Sequence, residues 1–420
     1  MRERDPPNPR GYVLGTALAV LALPLLAVAC RSDRESPRAS ERTPLVLVSL
    51  DGFRWDYAAR VETPALDRLA AEGVRAERLI PVFPSKTFPS HYSIATGLYP
   101  GHHGILSNNL RDPRWPEPFH LSMREEVEHP RWWGGEPIWV TAMRQGVASG
   151  VYFWPGSEAP VGGVRPSWWF PYDGSVSWEA RVEAALGWLA LPAAERPGFV
   201  ALYFEEPNET GHRFGPDAPE VTGAIRRVDA LLGSLLDSLA ARGVEANVLV
   251  VSDHGMSATD PTRTIGLDDL VELYPDEVFE TGAVGQIYPR SGREPAIFAA
   301  LEGAHPQLAV YRRGAIPERL HLDDSPRTPP ILLVPSPGWE VTTREQRARP
   351  DWRLVPGDHG WDPADPEMQG IFYAAGPGLA RGRRLGAVEA VDLYALMCRL
   401  LALEPAPNDG DWARVAPALR

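Results

Sequence analysis

Cysteine is nearly absent from this chain: two residues in 420, Cys30 and Cys398. No internal disulfide can form without Cys30, so a disulfide-stapled scaffold is excluded. A structural zinc site built on several thiolates is excluded with it. Basic charge is also short, with 42 Lys and Arg against 55 Asp and Glu and a formal charge of −13. Tight nonspecific binding to a nucleic-acid polymer needs basic surface, so none is expected. Small anionic substrates stay open, because a bound dication inverts the local field. There is no internal repeat, and no low-complexity tract inside the folded part. What is plentiful is 38 Gly, 44 Pro and 14 Trp, which predict many long loops. A hydrophobic share of 44% over 420 residues is enough for a large core or two lobes. Cys398 sits in an apolar, helix-like stretch and reads as a buried core thiol.

The N-terminus has the pattern of a targeting segment. Arg2, Arg4 and Arg10 precede 19 uncharged residues (11–29), and Ala27-Val28-Ala29 precede Cys30. A basic start, an apolar stretch and small residues before a cut site describe a secretory signal over residues 1–29. Small residues ahead of Cys30 resemble a bacterial lipobox, which makes Cys30 the lipidated first residue of the mature chain; Ala27 departs from the usual Leu. A retained membrane anchor is the competing account, weakened by Pro24 and the short span. Residues 30–43 then form a lipidated tether. The expected location is the cell envelope, as an exported lipoprotein anchored to a membrane in the periplasm or on the outer surface.

Short apolar runs that stop at turn residues predict buried parallel strands. LVLVSLDG (45–52) ends in Asp51, and VLVVSDHG (248–255) in Asp253 and His254. FVALYFEEPNETGH (199–212) ends in Asn208 and His212, and PGDHGWD (356–362) supplies His359. Helices are predicted from about Thr63, as N-cap, to Gly73, around SHYSIATGL, over 137–146, 177–191 and 219–243, and over 389–402. Residues 107–135 read as a surface loop, and 260–350, which lose the strand–helix alternation, as a smaller inserted, cap-like subdomain. The alternation predicts an α/β fold with a mostly parallel central sheet flanked by helices. The catalytic domain is expected over 44–405, followed by a C-terminal tail, 406–420.

In an open α/β sheet, ligands bind beyond the carboxyl ends of the strands. Distant segments therefore deliver Asp, His, Asn and Thr to one place. Oxygen ligands mixed with imidazole suit zinc or a similar divalent ion. Thr87, in PSKTFPSHYS, falls at a helix start near those ligands, where a hydroxyl can become a nucleophile. A simple helix N-cap is the plainer role, and Ser85, Ser90 and Ser93 are rivals.

Eight strings in order carry a wider likeness: VSLDGFRWDY, PVFPSKTFPSHYSIATGLYPGHHGI, GEPIWVTAMRQG, YFWPGSE, YFEEPNETGHRFGP, VVSDHGM, IPERLHL and HGWDP. Over about residues 44–400 the chain resembles the nucleotide pyrophosphatase/phosphodiesterase family of the alkaline phosphatase superfamily, as a bacterial member. The resemblance implies an alkaline-phosphatase-like fold and two zinc ions, with other divalent ions open. One ion is implied at Asp51, Thr87, Asp253 and His254, the other at Asn208, His212 and His359. Thr87 matches the nucleophile that forms a covalent intermediate on phosphorus. Asn108 matches a donor to a nonbridging oxygen, with Asn109 as its competitor. Phe88 matches an aromatic that stacks on a nucleobase, and Trp168, Trp169 and Tyr172 lie where an opposing ring is usual, Trp169 and Tyr172 being chosen.

One departure stands out: the family carries EEPD where this chain has EEPN. Asn208 still offers an amide oxygen but no charge, and Glu205, Glu206 and Glu209 are nearby replacements. The implied activity is hydrolysis of phosphodiester or pyrophosphate bonds in nucleotides, releasing nucleoside 5′-monophosphate. Alternatives are a phospholipid- or phosphocholine-type diesterase, a phosphomonoesterase, or a low-activity envelope binding protein because of Asn208. The expected partners are a small nucleotide or phosphodiester substrate and a membrane, with the chain itself a monomer.

Overall fold

The computed structural model describes residues 42–350 and 352–420. The signal segment, Cys30 and nearly all of the tether lie outside the described residues. Among the described residues no helix is long and apolar enough to cross a membrane.

In chain order, β1 (Leu45–Leu50) leads through α1 (Pro64–Glu72) to β2 (Val74–Ala76), and α2 (Thr87–Thr96) follows. Next come β3 (Ser149–Tyr152), β4 (Trp168–Trp169), α3 (Trp178–Leu189) and β5 (Phe199–Phe204). Then come α4 (Asn208–Phe214), α5 (Pro219–Ala241) and β6 (Asn247–Val251). An inserted unit holds β7 (Val278–Glu280), β8 (Gly285–Ile287), β9 (Leu308–Arg312) and β10 (Ile331–Pro335). The chain returns with β11 (Phe372–Ala375), β12 (Arg383–Leu385) and α6 (Leu393–Leu400).

The central sheet runs β12-β2-β11-β6-β1-β5-β3-β4. Its pairings are parallel except those of β11, which is antiparallel to both β2 and β6. Strand alternation divides the core in two. Leu45 and Leu47 face one apolar cluster with Tyr92 and Leu396, while Val46, Val48 and Leu50 face another with Leu66 and Leu232. The inserted unit is a four-stranded antiparallel sheet, β7-β8-β10-β9, with its own small core around Ile287, Ile297 and Leu333.

Three sequence expectations change here. Thr63 occupies the N-cap position of α1, but its hydroxyl caps nothing. Asp229 of α5 does so instead, accepting from Ala65 N–H at 3.1 Å and Leu66 N–H at 3.0 Å. Residues 107–135 are more than a surface loop. Phe119, Trp132 and Trp133 are buried in the core, and Glu126 accepts the Trp132 indole N–H at 2.6 Å. Residues 406–420 do not trail away as a tail: Val415 and Ala418 are fully buried, and Arg414 pairs with buried Asp392 at 2.6 Å.

Candidate active site

The carboxyl ends of β1, β5 and β6 lie side by side, with Leu50 opposite Phe204 and Ser49 opposite Val251. Asp51, the Glu205–Asn208 turn and the Asp253–His254 pair therefore leave the sheet along one edge. Gly52 makes their close approach possible. It sits at φ +68°, and a Cβ there would fall 2.9 Å from Asn208 Cα, so only glycine fits. The Asn208 N–H in turn donates to the Asp51 carbonyl at 3.0 Å.

The donor atoms of Asp51, Asp253 and His254 all lie within 4.8 Å of one another. His254 Nε2 is 3.0 Å from Asp253 Oδ2, 3.5 Å from Asp51 Oδ1 and 3.4 Å from Thr87 Oγ1. Tyr203 donates to Asp51 Oδ2 at 2.6 Å, and Gly52 N–H to Asp253 Oδ1 at 3.1 Å. Each carboxylate is thus held through one oxygen by a hydrogen-bond donor, while its other oxygen faces His254 Nε2. Burial and the charge of Asp253 push Asp51 up to about 7. Burial pushes His254 down, but Asp253 beside it more than reverses this and holds the imidazole up at about 9. Buried, strongly shifted groups gathered at strand ends mark a functional cluster.

A second group adjoins the first, the rings of His254 and His359 being 3.5 Å apart. His212 Nδ1 is 2.8 Å from Gly357 O, and His359 Nδ1 is 2.8 Å from Ser85 O. Backbone carbonyls accept, so both Nδ1 atoms carry the proton and both Nε2 atoms offer lone pairs. Burial, then the charges of His254 and His212, push His359 well below the ordinary imidazole range. Asp358 joins this group, its donor atom within 4.8 Å of those of His212 and His359. The DHG string at 358–360 was visible in the sequence, yet only its His was assigned.

Asp51 Oδ1, Asp253 Oδ2 and Asn208 Oδ1 are buried oxygens that no donor meets with hydrogen-bond geometry, Asp253 Oδ2 having only ion-pair contacts to His254 and His91. Each such oxygen costs about 1–3 kcal/mol unless something satisfies it. Three of them, converging with three imidazoles and a threonine hydroxyl, fit the divalent ions expected at these residues. The neighbouring glutamates do not replace Asn208. Glu205 accepts from Tyr172, Trp178 and Arg181, Glu206 caps Thr210, and Glu209 is exposed.

Beside these groups opens a cavity of about 300 Å³, with Thr87, Asn108, Asn208, His212 and His359 at one end. Asn108 Oδ1 accepts the Phe88 N–H at 2.9 Å, which leaves the amide NH₂ as a donor. Asn109 does not line the cavity, and its side chain turns to His120 at 2.9 Å. The rival serines are elsewhere: Ser85 donates to Trp361 O at 2.7 Å, Ser93 bonds His103 at 2.9 Å, and none of the three lines the cavity. Phe88 and Tyr172 both line it. Trp169 does not, which corrects its assignment. It pairs with Val151 in edge strand β4, under the Arg165 guanidinium at 4.4 Å. The chain reaches the cavity only three residues later.

The sequence reading missed Tyr203, Trp154, Arg124 and Glu158, which also line the cavity. Trp154 and Glu158 lie within the quoted YFWPGSE, and Tyr203 within YFEEPN. Arg124 carried no local signal.

The family model described as Type I phosphodiesterase / nucleotide pyrophosphatase matches residues 45–362. Human ectonucleotide pyrophosphatase/phosphodiesterase family member 7 is 34% identical over 429 residues, covering 97% of this chain and 89% of that protein. Human family member 1 is 36% identical over 392 residues, covering 90% of this chain; the chain spans 42% of that relative's length. The structure of murine ectonucleotide pyrophosphatase/phosphodiesterase 5 matches with a TM-score of 0.85 and 35% identity, covering 90% of this chain and 100% of that one. The murine protein is also solved as an inactive variant in complex with AMP.

Proposed function

Because this chain belongs to the Type I phosphodiesterase / nucleotide pyrophosphatase family, we propose that it hydrolyses phosphodiester or pyrophosphate bonds in nucleotides through a phosphothreonine intermediate. The observation that carries the reading is Thr87 Oγ1 at 3.4 Å from His254 Nε2, on a cavity wall shared with Asp51 and Asn208, whose Oδ1 atoms are buried without a hydrogen-bond partner.

Asp51, Thr87, Asp253 and His254 would hold one zinc or similar ion, and Asn208, His212 and His359 a second. When bound, such ions supply Lewis-acid polarisation of phosphoryl oxygen and favour the ionised form of a hydroxyl. The remaining steps belong to the protein. Thr87 Oγ1 attacks phosphorus, and the bond from phosphorus to the leaving alcohol or phosphate breaks. Water then cleaves the Oγ1–P bond and frees a nucleoside 5′-monophosphate. The Asn108 amide donates to a nonbridging oxygen, where negative charge builds. Phe88 and Tyr172 bracket the base. A lipid on Cys30 would keep the enzyme at the cell envelope.

A second reading, a low-activity envelope binding protein, draws on Asn208 alone, since a neutral amide holds a dication less tightly than a carboxylate. Turnover of p-nitrophenyl thymidine monophosphate, run beside elemental metal analysis, separates the two. Metal-dependent turnover supports the enzyme, and nucleotide binding without turnover supports the binding protein.

A further inference from the structure

Glu280 ends β7 of the inserted unit and takes no part in the chemistry above. It is 6% exposed. Its Oε1 accepts the Ser107 hydroxyl at 2.8 Å and lies 3.6 Å from Lys86 Nζ. Its Oε2 accepts Gln286 Nε2 at 2.6 Å, and the same amide donates to the Asn109 carbonyl at 3.2 Å. Lys86 directly precedes Thr87, and Ser107 directly precedes Asn108. One buried carboxylate from the inserted unit therefore grips both turns that present the phosphate-handling side chains. The bond from Phe88 N–H to Asn108 Oδ1 ties the same two turns on their cavity side.

Lys86 is the only lysine among the chain's 42 basic Lys and Arg residues. Its stem runs through a narrow slot: a Cβ on Gly360 would come within 2.9 Å of Lys86 Cε. The stem ends in a compact ammonium charge beside the Glu280 carboxylate.

We propose that Glu280 is a positioning residue, setting through Lys86 and Ser107 the separation of the Thr87 hydroxyl from the Asn108 amide. The inserted unit is then part of the reacting geometry and more than a cover. This rests on the reading that Thr87 attacks phosphorus. Misplacement by about 1 Å costs on the order of 100-fold in rate, so the effect belongs in kcat.

The test uses full-length protein and two variants, Glu280→Gln and Lys86→Met, which break the ion pair from opposite sides. With p-nitrophenyl thymidine monophosphate, each should lower kcat about 10- to 100-fold while KM moves less than about threefold. The double variant should be no slower than the worse single one, because both remove the same contact. Reductive methylation with ¹³C-formaldehyde labels Lys86 as the one side-chain amine, and its NMR resonance should move in Glu280→Gln. Additive losses, an unchanged kcat, KM rising in step with the loss of rate, or an unmoved Lys86 resonance would each overturn the proposal. Absence of turnover in the wild type would instead sink the functional reading beneath it, and this proposal with it.

Discussion

Thr87 Oγ1 lies 3.4 Å from His254 Nε2, across a sequence separation of 167 residues. Thr87 also opens helix α2 at the cavity wall, which none of Ser85, Ser90 and Ser93 lines. Thr87→Ala should therefore remove nearly all diesterase activity while the melting temperature and metal content stay close to wild type. Retention of more than about a tenth of the rate, roughly 1.4 kcal/mol of barrier, would discard the nucleophile assignment.

Phe88 lines the cavity and packs at its back on Phe119 and Trp133, at ring separations of 5.8 and 6.0 Å. Base–aromatic stacking is worth about 1–3 kcal/mol and tolerates any base. Phe88→Ala should raise KM for nucleotide substrates roughly 5- to 150-fold, the same range expressed as a ratio. It should do far less to bis-p-nitrophenyl phosphate. Equal losses on both would assign Phe88 to packing alone.

Asn208 offers a buried amide oxygen where the family resemblance implies a carboxylate, and the nearby glutamates are engaged or exposed. A charged oxygen in the same place adds Coulomb attraction in a partly buried site. Asn208→Asp should hold metal against a higher EDTA concentration, as followed by elemental analysis and by activity. The wild type should depend more on added Zn²⁺. If both proteins lose metal at the same chelator concentration, Asn208 is not a ligand.

His103 supplies a pH dependence outside the active site. It is fully buried, bonds Ser93 Oγ through Nε2 at 2.9 Å, and accepts the Ile105 N–H on Nδ1 at 3.1 Å. Burial, then the charges of Arg327 and His102, push its imidazole down to about 3. Above about pH 6.5 both folded and unfolded chains carry it neutral, so it adds no slope. As pH falls from there toward 3, the unfolded chain takes a proton that the folded one refuses, and stability drops. By pH 5 the loss is about 2 kcal/mol. Urea unfolding at pH 7 and pH 5, with chelator present, should show His103→Gln losing about that much less than wild type. Equal losses would clear His103 of the effect.

The small-residue signature before Cys30 predicts a lipid anchor. Cys30→Ala should release the protein from membranes or leave it unprocessed. A wild-type mature chain whose mass spectrum shows an unmodified start at another residue would rule the anchor out.

How far local sequence reaches is visible element by element. The apolar runs ending in Asp51, Asn208 and Asp253 could be read directly, because a buried parallel strand must be apolar on both faces and must stop where polar side chains begin. The His and Asp at those strand ends followed with them, as did the helices with clear amphipathic periods. Asp229 capping α1, Glu280 bridging Lys86 to Ser107, and Arg124 in the cavity wall had no such trace. Each is a single polar residue whose role comes from a neighbour brought near by the fold, with no periodicity to announce it. Trp169 and Tyr172 are three residues apart and equally aromatic. Only the pairing of Trp169 with Val151 in the edge strand took one away from the cavity and left the other in its wall. The sequence by itself determined the α/β order and the chemistry available at the strand ends, because both follow from local hydrophobicity and turn residues. Tertiary structure alone decided which oxygens are left without a hydrogen bond, which rings face the cavity and which carboxylate holds the Thr87 turn, because those depend on distances between segments far apart in the chain.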